Sequence, residues 1–220
     1  MREKYTTTKH LCVLPVALGS FIVIVLVLYS GCVSLTNAYV SDKVLTDGWY
    51  EDIANRDSGT QFLGFERWVS STYTTNDTEY PAFLTVMTMK TLVVMDNEEL
   101  QGKIRDIINV TIPQTISIND STKQTGGRYI LRAHQTMYTV YDGVDIQANI
   151  SKNVKIIGEA WNCQTSGTSI VCIGVAYITN MVENTSVEQT TNWKKIVMDD
   201  IGSVERYTGT TGLIANVICH

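Results

Sequence analysis

The run from Leu11 to Cys32 contains no charged side chain, and it constrains this 220-residue chain more than any other feature. It follows a short head carrying Arg2, Lys4 and Lys9. About 20 apolar residues cross a hydrocarbon core as one helix. A basic head, an apolar stretch and small residues before a cleavage point make a secretory signal. The run satisfies both descriptions. In either case the basic head stays on the cytoplasmic side, so the chain after Cys32 is expected outside the cell membrane. The expected plan is a basic cytoplasmic head at 1–10, a signal or transmembrane segment at 11–32 and a polar linker at 33–48. An extracytoplasmic domain at 49–205 and a tail at 206–220 complete it.

The run ends Tyr29-Ser30-Gly31-Cys32. Ser30, Gly31 and Cys32 resemble the lipobox of prokaryotic lipoproteins, in which small residues precede the cysteine that becomes the lipidated N-terminus. Tyr29 departs from that pattern, which has an aliphatic residue at its position. The resemblance implies lipid on Cys32. The other reading is an uncleaved signal anchor in which Cys32 is a small residue at the membrane face.

Outside the membrane, cysteines oxidise in pairs. Cys12 lies inside the apolar run, which leaves Cys163, Cys172 and Cys219 in the domain. Cys163 and Cys172 are the expected disulfide, with Cys219 left over; the competing arrangement joins Cys219 to one of them. A zinc site needs four well-spaced ligands. No close cysteine doublet exists, so neither a metal nor another cofactor is expected. Asn76, Asn109, Asn119, Asn149 and Asn184 each begin an Asn-X-Ser/Thr acceptor, and four of the five fall in segments read as loops. A lipobox together with several acceptors suits an archaeal surface protein better than a bacterial one.

The chain carries a net −5, and its first ten residues carry +2, which leaves −7 on the remainder. An acidic domain without a basic stripe does not suit nucleic acid, nor adhesion to anionic lipid. The partners expected are the membrane, through the N-terminal anchor, and a protein or small molecule.

Roughly 185 residues follow the anchor, enough for one domain with a real core. Trp49 to Gly59 reads as an exposed loop, although Glu51, Asp52 and Asp57 are candidates for a cation site. Gln61 to Thr75 reads as one or two strands, and a further strand begins at Pro81. Asp96 to Ile108 predicts a helix. Asp96 and Glu99 form a capping box, and Leu100, Ile104, Ile107 and Ile108 share one face. Thr111 to Gly127 reads as a loop. Arg128 to Tyr141 predicts a long strand closed by the turn Asp142-Gly143, with His134 an ordinary strand histidine. Val154 to Cys163 and Thr168 to Thr179 predict a hairpin. Opposing Cys163 and Cys172 would set Trp161 against Gly174, Glu159 against Ala176, and a two-residue turn at Gly167-Thr168. Thr191 to Ile201 predicts a second helix held by Trp193, with Gly202 beyond it. Leu213 to Ile218 is either an edge strand or an interaction segment.

These elements predict an α+β domain, a central antiparallel sheet flanked by two helices. Their order over Gln61 to Gly202, with a second helix opening at Trp193-Lys194-Lys195, resembles the PsbP-like fold. No nucleophile elbow, zinc-protease helix, phosphate loop or dinucleotide loop is present. The function expected is a non-enzymatic, membrane-tethered surface protein that binds a partner or ligand. The alternatives are a secreted hydrolase using Glu51, Asp52, Asp57 and Glu159, and a subunit of a surface assembly joined through Leu213 to Ile218.

Overall fold

The computed structural model describes residues 35–61, 65–130, 134–147, 150–178, 191–197 and 212–219. Its order is β1 (Tyr39–Val40), β2 (Trp49–Gln61), β3 (Glu66–Thr75), β4 (Ala82–Lys90), α1 (Asn97–Thr111), β5 (Ile116–Ile130), β6 (His134–Gln147), β7 (Ile150–Cys163), β8 (Thr168–Ile178), α2 (Thr191–Val197) and β9 (Val217–Ile218). Seven strands form one antiparallel sheet in the order β2-β3-β4-β8-β7-β6-β5, and β1 pairs with β9 separately. The α+β class, with two helices on an antiparallel sheet, is as the sequence predicts.

Strand β8 is central, and nearly every residue in it is buried. That follows from its continuous apolar run, which needs cover on both faces. One face packs on Leu100, Ile104, Ile107 and Ile108 of α1. The other packs on Trp193, Ile196 and Val197 of α2 and on Leu213, Ile214 and Val217. Glycines of the central hairpin let the helices approach. A Cβ at Gly158 would lie 2.3 Å from Ile104 Cγ2, and one at Gly174 would lie 2.6 Å from Ile196 Cγ2.

The capping box of α1 forms in full. Asp96 Oδ1 accepts from the Glu98 and Glu99 amides, and Glu99 Oε2 accepts from the Asp96 amide, each at 2.9 Å. The helix runs on to Thr111, three residues past the predicted end at Ile108. Val110 is exposed there, so its bulk meets solvent rather than a neighbour, and Pro113 sets the end.

Several sequence readings need correction. Trp49 to Gln61 is an edge strand, β2, whose exposed face hides the period-two signal. The loop read over Thr111 to Gly127 is mostly strand β5. The single strand read over Arg128 to Tyr141 is the end of β5 and the start of β6, and Asp142-Gly143 lies inside β6 rather than in a turn. The hairpin register also differs. Cys163 opposes Thr168, Trp161 opposes Ile170, and Gly174 opposes Ile157. The difference is a slip of four residues, an even number, so each side chain keeps its face and alternation alone cannot detect it. A loop over residues 164–167 replaces the two-residue turn. Gly167 closes it at φ +59°, donating its N–H to the Cys163 carbonyl at 2.9 Å.

The linker is shorter than expected. Ala38, Val40 and Val44 are buried in the core, and the Ala38 amide donates to Thr88 Oγ1 at 2.7 Å. Residues 35–48 therefore belong to the domain. The tail run is likewise internal, because Val217 and Ile218 pair with Val40 and Tyr39 of the same chain. Its apolar side chains cover this domain's own core instead of a neighbour's sheet edge. Cys32, Asn149, Asn184 and residues 198–202 lie outside the described residues.

Candidate functional site

The candidate carboxylates separate into unrelated places. Glu51 and Asp52 are adjacent on β2, so they leave opposite faces of the sheet. Arg56 bridges Glu51 with two hydrogen bonds of 2.8 Å and holds its carboxyl below the usual carboxylate range. Asp52 accepts from the Ala54 amide at 3.1 Å and Asn55 Nδ2 at 2.7 Å. Asp57 Oδ1 accepts from the next amide, Ser58, at 2.7 Å. These contacts fold the irregularity in β2 between Asp52 and Asp57. Among the described residues no group of three or more His, Cys, Asp or Glu side chains is placed to hold a metal.

Glu159 is elsewhere. It sits on β7, four strand positions from β2, which is roughly 19 Å at the usual strand spacing. Paired glycosidase carboxyls stand about 5–10 Å apart. Glu159 is fully buried. Arg128 of β5 donates Nε to Oε1 at 2.9 Å and Nη2 to Oε2 at 2.5 Å, and Thr136 Oγ1 donates to Oε1 at 2.5 Å. Arg128 Nη1 also donates to the Val197 carbonyl in α2 at 3.0 Å. The pair thus fastens the second helix to the sheet. Its carboxylate oxygens are taken by fixed donors, which suits structure better than proton transfer. Arg128 is the residue that sequence reasoning missed. The signal was Glu159 itself, since a carboxylate inside an apolar strand needs a buried cation.

The domain disulfide joins Cys163 to Cys219, not to Cys172. Cys163 and Cys172 share a face, but β9 brings Cys219 over Cys163, and the four-residue slip carries Cys172 away to oppose Glu159. Cys172 stays a free, fully buried thiol, and desolvation, reinforced by the Glu159 charge, pushes its pKa well up. The acceptors that can be placed are all exposed: Asn76 in the β3–β4 turn, Asn109 on α1 and Asn119 on β5. Loop placement therefore holds for Asn76 and fails for Asn119, which falls in the stretch read as a loop over Thr111 to Gly127. Exposure, which attachment of a sugar requires, holds for all three.

Two of the concavities among the described residues bear on binding. One of about 540 Å³ lies between Tyr39 to Lys43 and Ala215 to Ile218, walled by Tyr39, Asp42, Lys43 and Asn216. The other, about 420 Å³, lies between the β2 irregularity and the sheet face, with Arg56, Asp57, Thr72 and Thr85 among its walls. The first mixes a ring, an acid and a base over a backbone fixed by β1–β9 pairing, which suits ligand binding. Among the described residues no helix is long and apolar enough to cross a membrane. Comparison with family models, curated proteins and solved structures finds no match to this chain.

Proposed function

We propose that the chain is a membrane-tethered surface protein whose outer domain binds a partner or ligand at the envelope and performs no catalysis. The observation that carries the reading is the uncharged run Leu11 to Cys32, separated by only Val33 and Ser34 from a domain that begins at Leu35. The Cys163–Cys219 disulfide supports it, because such bonds persist in oxidising compartments. The concavity beside Tyr39 and Lys43 supports the binding role.

Intact-mass measurement of protein taken from its native membrane tests the tether. A lipidated species starting at Cys32 supports the lipoprotein form, and an uncleaved mass supports the anchor form. A species cleaved without lipid sinks the tether. For the binding role, Tyr39→Ala with Lys43→Glu should lower recovery of co-purifying partners without moving the unfolding midpoint. Unchanged recovery would remove that concavity as the site.

A further inference from the structure

We propose that the rim of the sheet carrying Phe65, Leu92, Val93 and Val94 seats on the lipid bilayer, its apolar side chains entering the interface. The proposal rests on the tethered reading above and adds an orientation to it. These four residues are 52 %, 73 %, 78 % and 54 % exposed. Arg67 and Lys90 form the last pair of β3 and β4, so Phe65 and the Leu92–Val94 loop project beyond the same end of adjacent strands. Apolar side chains clustered on a surface mark a contact with another apolar phase.

Where the chain enters the domain says which phase that is. The Val40 amide donates to the Tyr73 hydroxyl, and the Ala38 amide donates to Thr88 Oγ1. Thr88 lies nearer Lys90 than does Leu84, the partner of Tyr73. Followed backwards from Val40, the chain therefore travels toward the apolar rim. The disulfide agrees, since Cys219 follows the β9 residues paired with β1 and is bonded to Cys163, whose partner Thr168 adjoins Ser169, the partner of Met89. From Cys32 to Leu35 the chain spans three peptide units, at most about 11 Å. On the tethered reading, a link of that length keeps the end bearing the exposed apolar residues within reach of the bilayer.

The opposite end has the opposite chemistry. Asn76 is in the β3–β4 turn, Asn109 is on the last turn of α1, and Asn119 opposes Asp142 near the start of β4 across the sheet. All three are exposed acceptors at the end away from the rim. The rim's neighbours also limit which lipid it takes. Asp96, Glu98 and Glu99 follow the loop directly, and Lys90 Nζ is turned to the Ser166 and Gly167 carbonyls at 3.2 Å and 3.1 Å. Insertion is thus apolar, and a zwitterionic surface suits it better than an anionic one.

The test uses the full chain reconstituted in phosphatidylcholine vesicles, with an environment-sensitive fluorophore on Val93→Cys or, at the far end, on Thr78→Cys. Flotation with the vesicles reports the tether separately. Doxyl-labelled phosphatidylcholine should quench the probe at 93 at least threefold more than at 78, and Leu92→Ser with Val94→Ser should abolish the difference. Equal quenching in protein that floats overturns the orientation and leaves the tether standing. Unquenched probes at 93, together with disulfide-linked dimers when unlabelled Val93→Cys protein is oxidised, would assign the rim to a second copy instead. Protein that fails to float overturns both readings.

Discussion

Cys163 and Cys219 are joined across 56 residues of chain, with Cα atoms 6.2 Å apart. The bond fastens the C-terminal segment, whose Leu213 and Ile214 are fully buried, onto the end of β7. Closing a loop of this length restricts the unfolded chain by about 4 kcal/mol in the chain-entropy model. Cys219→Ser should therefore lower unfolding free energy by about 2–4 kcal/mol, read from a denaturation midpoint. Peptide mapping without reduction should recover a linked Cys163–Cys219 peptide. A Cys163–Cys172 peptide would refute the arrangement.

Arg128 and Glu159 make the second testable relationship. Removing one member of a buried ion pair leaves the other charge unpaired and costs about 3–5 kcal/mol. Glu159→Gln and Arg128→Met should each fall in that range, and α2 should loosen because the Val197 carbonyl loses a charged donor only in the arginine variant. Hydrogen exchange in Thr191–Val197 separates the two. Replacing both residues with apolar ones of similar volume should recover much of the loss. Small effects from both single variants would show that the pair is not buried in solution.

The fold was legible where local rules and tertiary packing agree. Asp96, Glu99 and the Leu100 face announce α1 because a capping box and a 3.6-residue period both act locally. The class of sheet was legible from β8, whose apolar run demands two covered faces. What stayed hidden depends on partners distant in sequence. Strands β2 and β5 sit at the two edges, where solvent replaces the inner-face pattern. The β7–β8 register escaped because an even slip preserves alternation, and Cys219 reaches Cys163 only after β9 pairs with β1. At the site, Glu159 was noticed as an acid but its cation was not, since Arg128 lies 31 residues away on a strand misread as continuous with β6. The connector over 33–48 was read as a spacer because its polar residues conceal the three buried side chains Ala38, Val40 and Val44.

The cap of α1 offers a calibrated check on local structure. Asp96→Ala removes the acceptor of two amide hydrogen bonds and should cost about 1 kcal/mol. Leu100→Ala opens a cavity in the α1 core and should cost about 2–5 kcal/mol. Urea midpoints with unchanged m-values would measure both. Equal effects would mean that the helix is not packed as described.

Gly174 and Gly158 test how each helix meets the sheet. Gly174→Ala sets a methyl 2.6 Å from Ile196 Cγ2 and 3.0 Å from Ile157 Cγ2. Overpacking of this kind costs about 1–3 kcal/mol. Ile196→Ala removes the nearer atom, so the double variant should be more stable than the sum of the two single changes by about 1 kcal/mol. Gly158→Ala should couple in the same way to Ile104→Ala, and not to Ile196→Ala, since the helices lie on opposite faces. Strict additivity in both cycles would remove glycine from the helix contacts.

Cys172 supplies a pH prediction. In the folded chain burial raises the thiol pKa well above its ordinary value, while the unfolded thiol titrates near about 8.5. Above that pH the unfolded state has lost a proton that the folded state keeps. Unfolding then releases a proton, and stability falls as pH rises. The contribution is complete below the unfolded pKa and declines by up to about 1.4 kcal/mol per pH unit above it, until the folded thiol itself ionises. Denaturation midpoints between about pH 8 and 10 should therefore fall more steeply for the parent than for Cys172→Ala. Peptide-level alkylation at pH 8 should leave Cys172 unmodified in folded protein and modify it in urea. Parallel slopes, together with labelling of Cys172 in the folded chain, would show that this thiol is open to solvent.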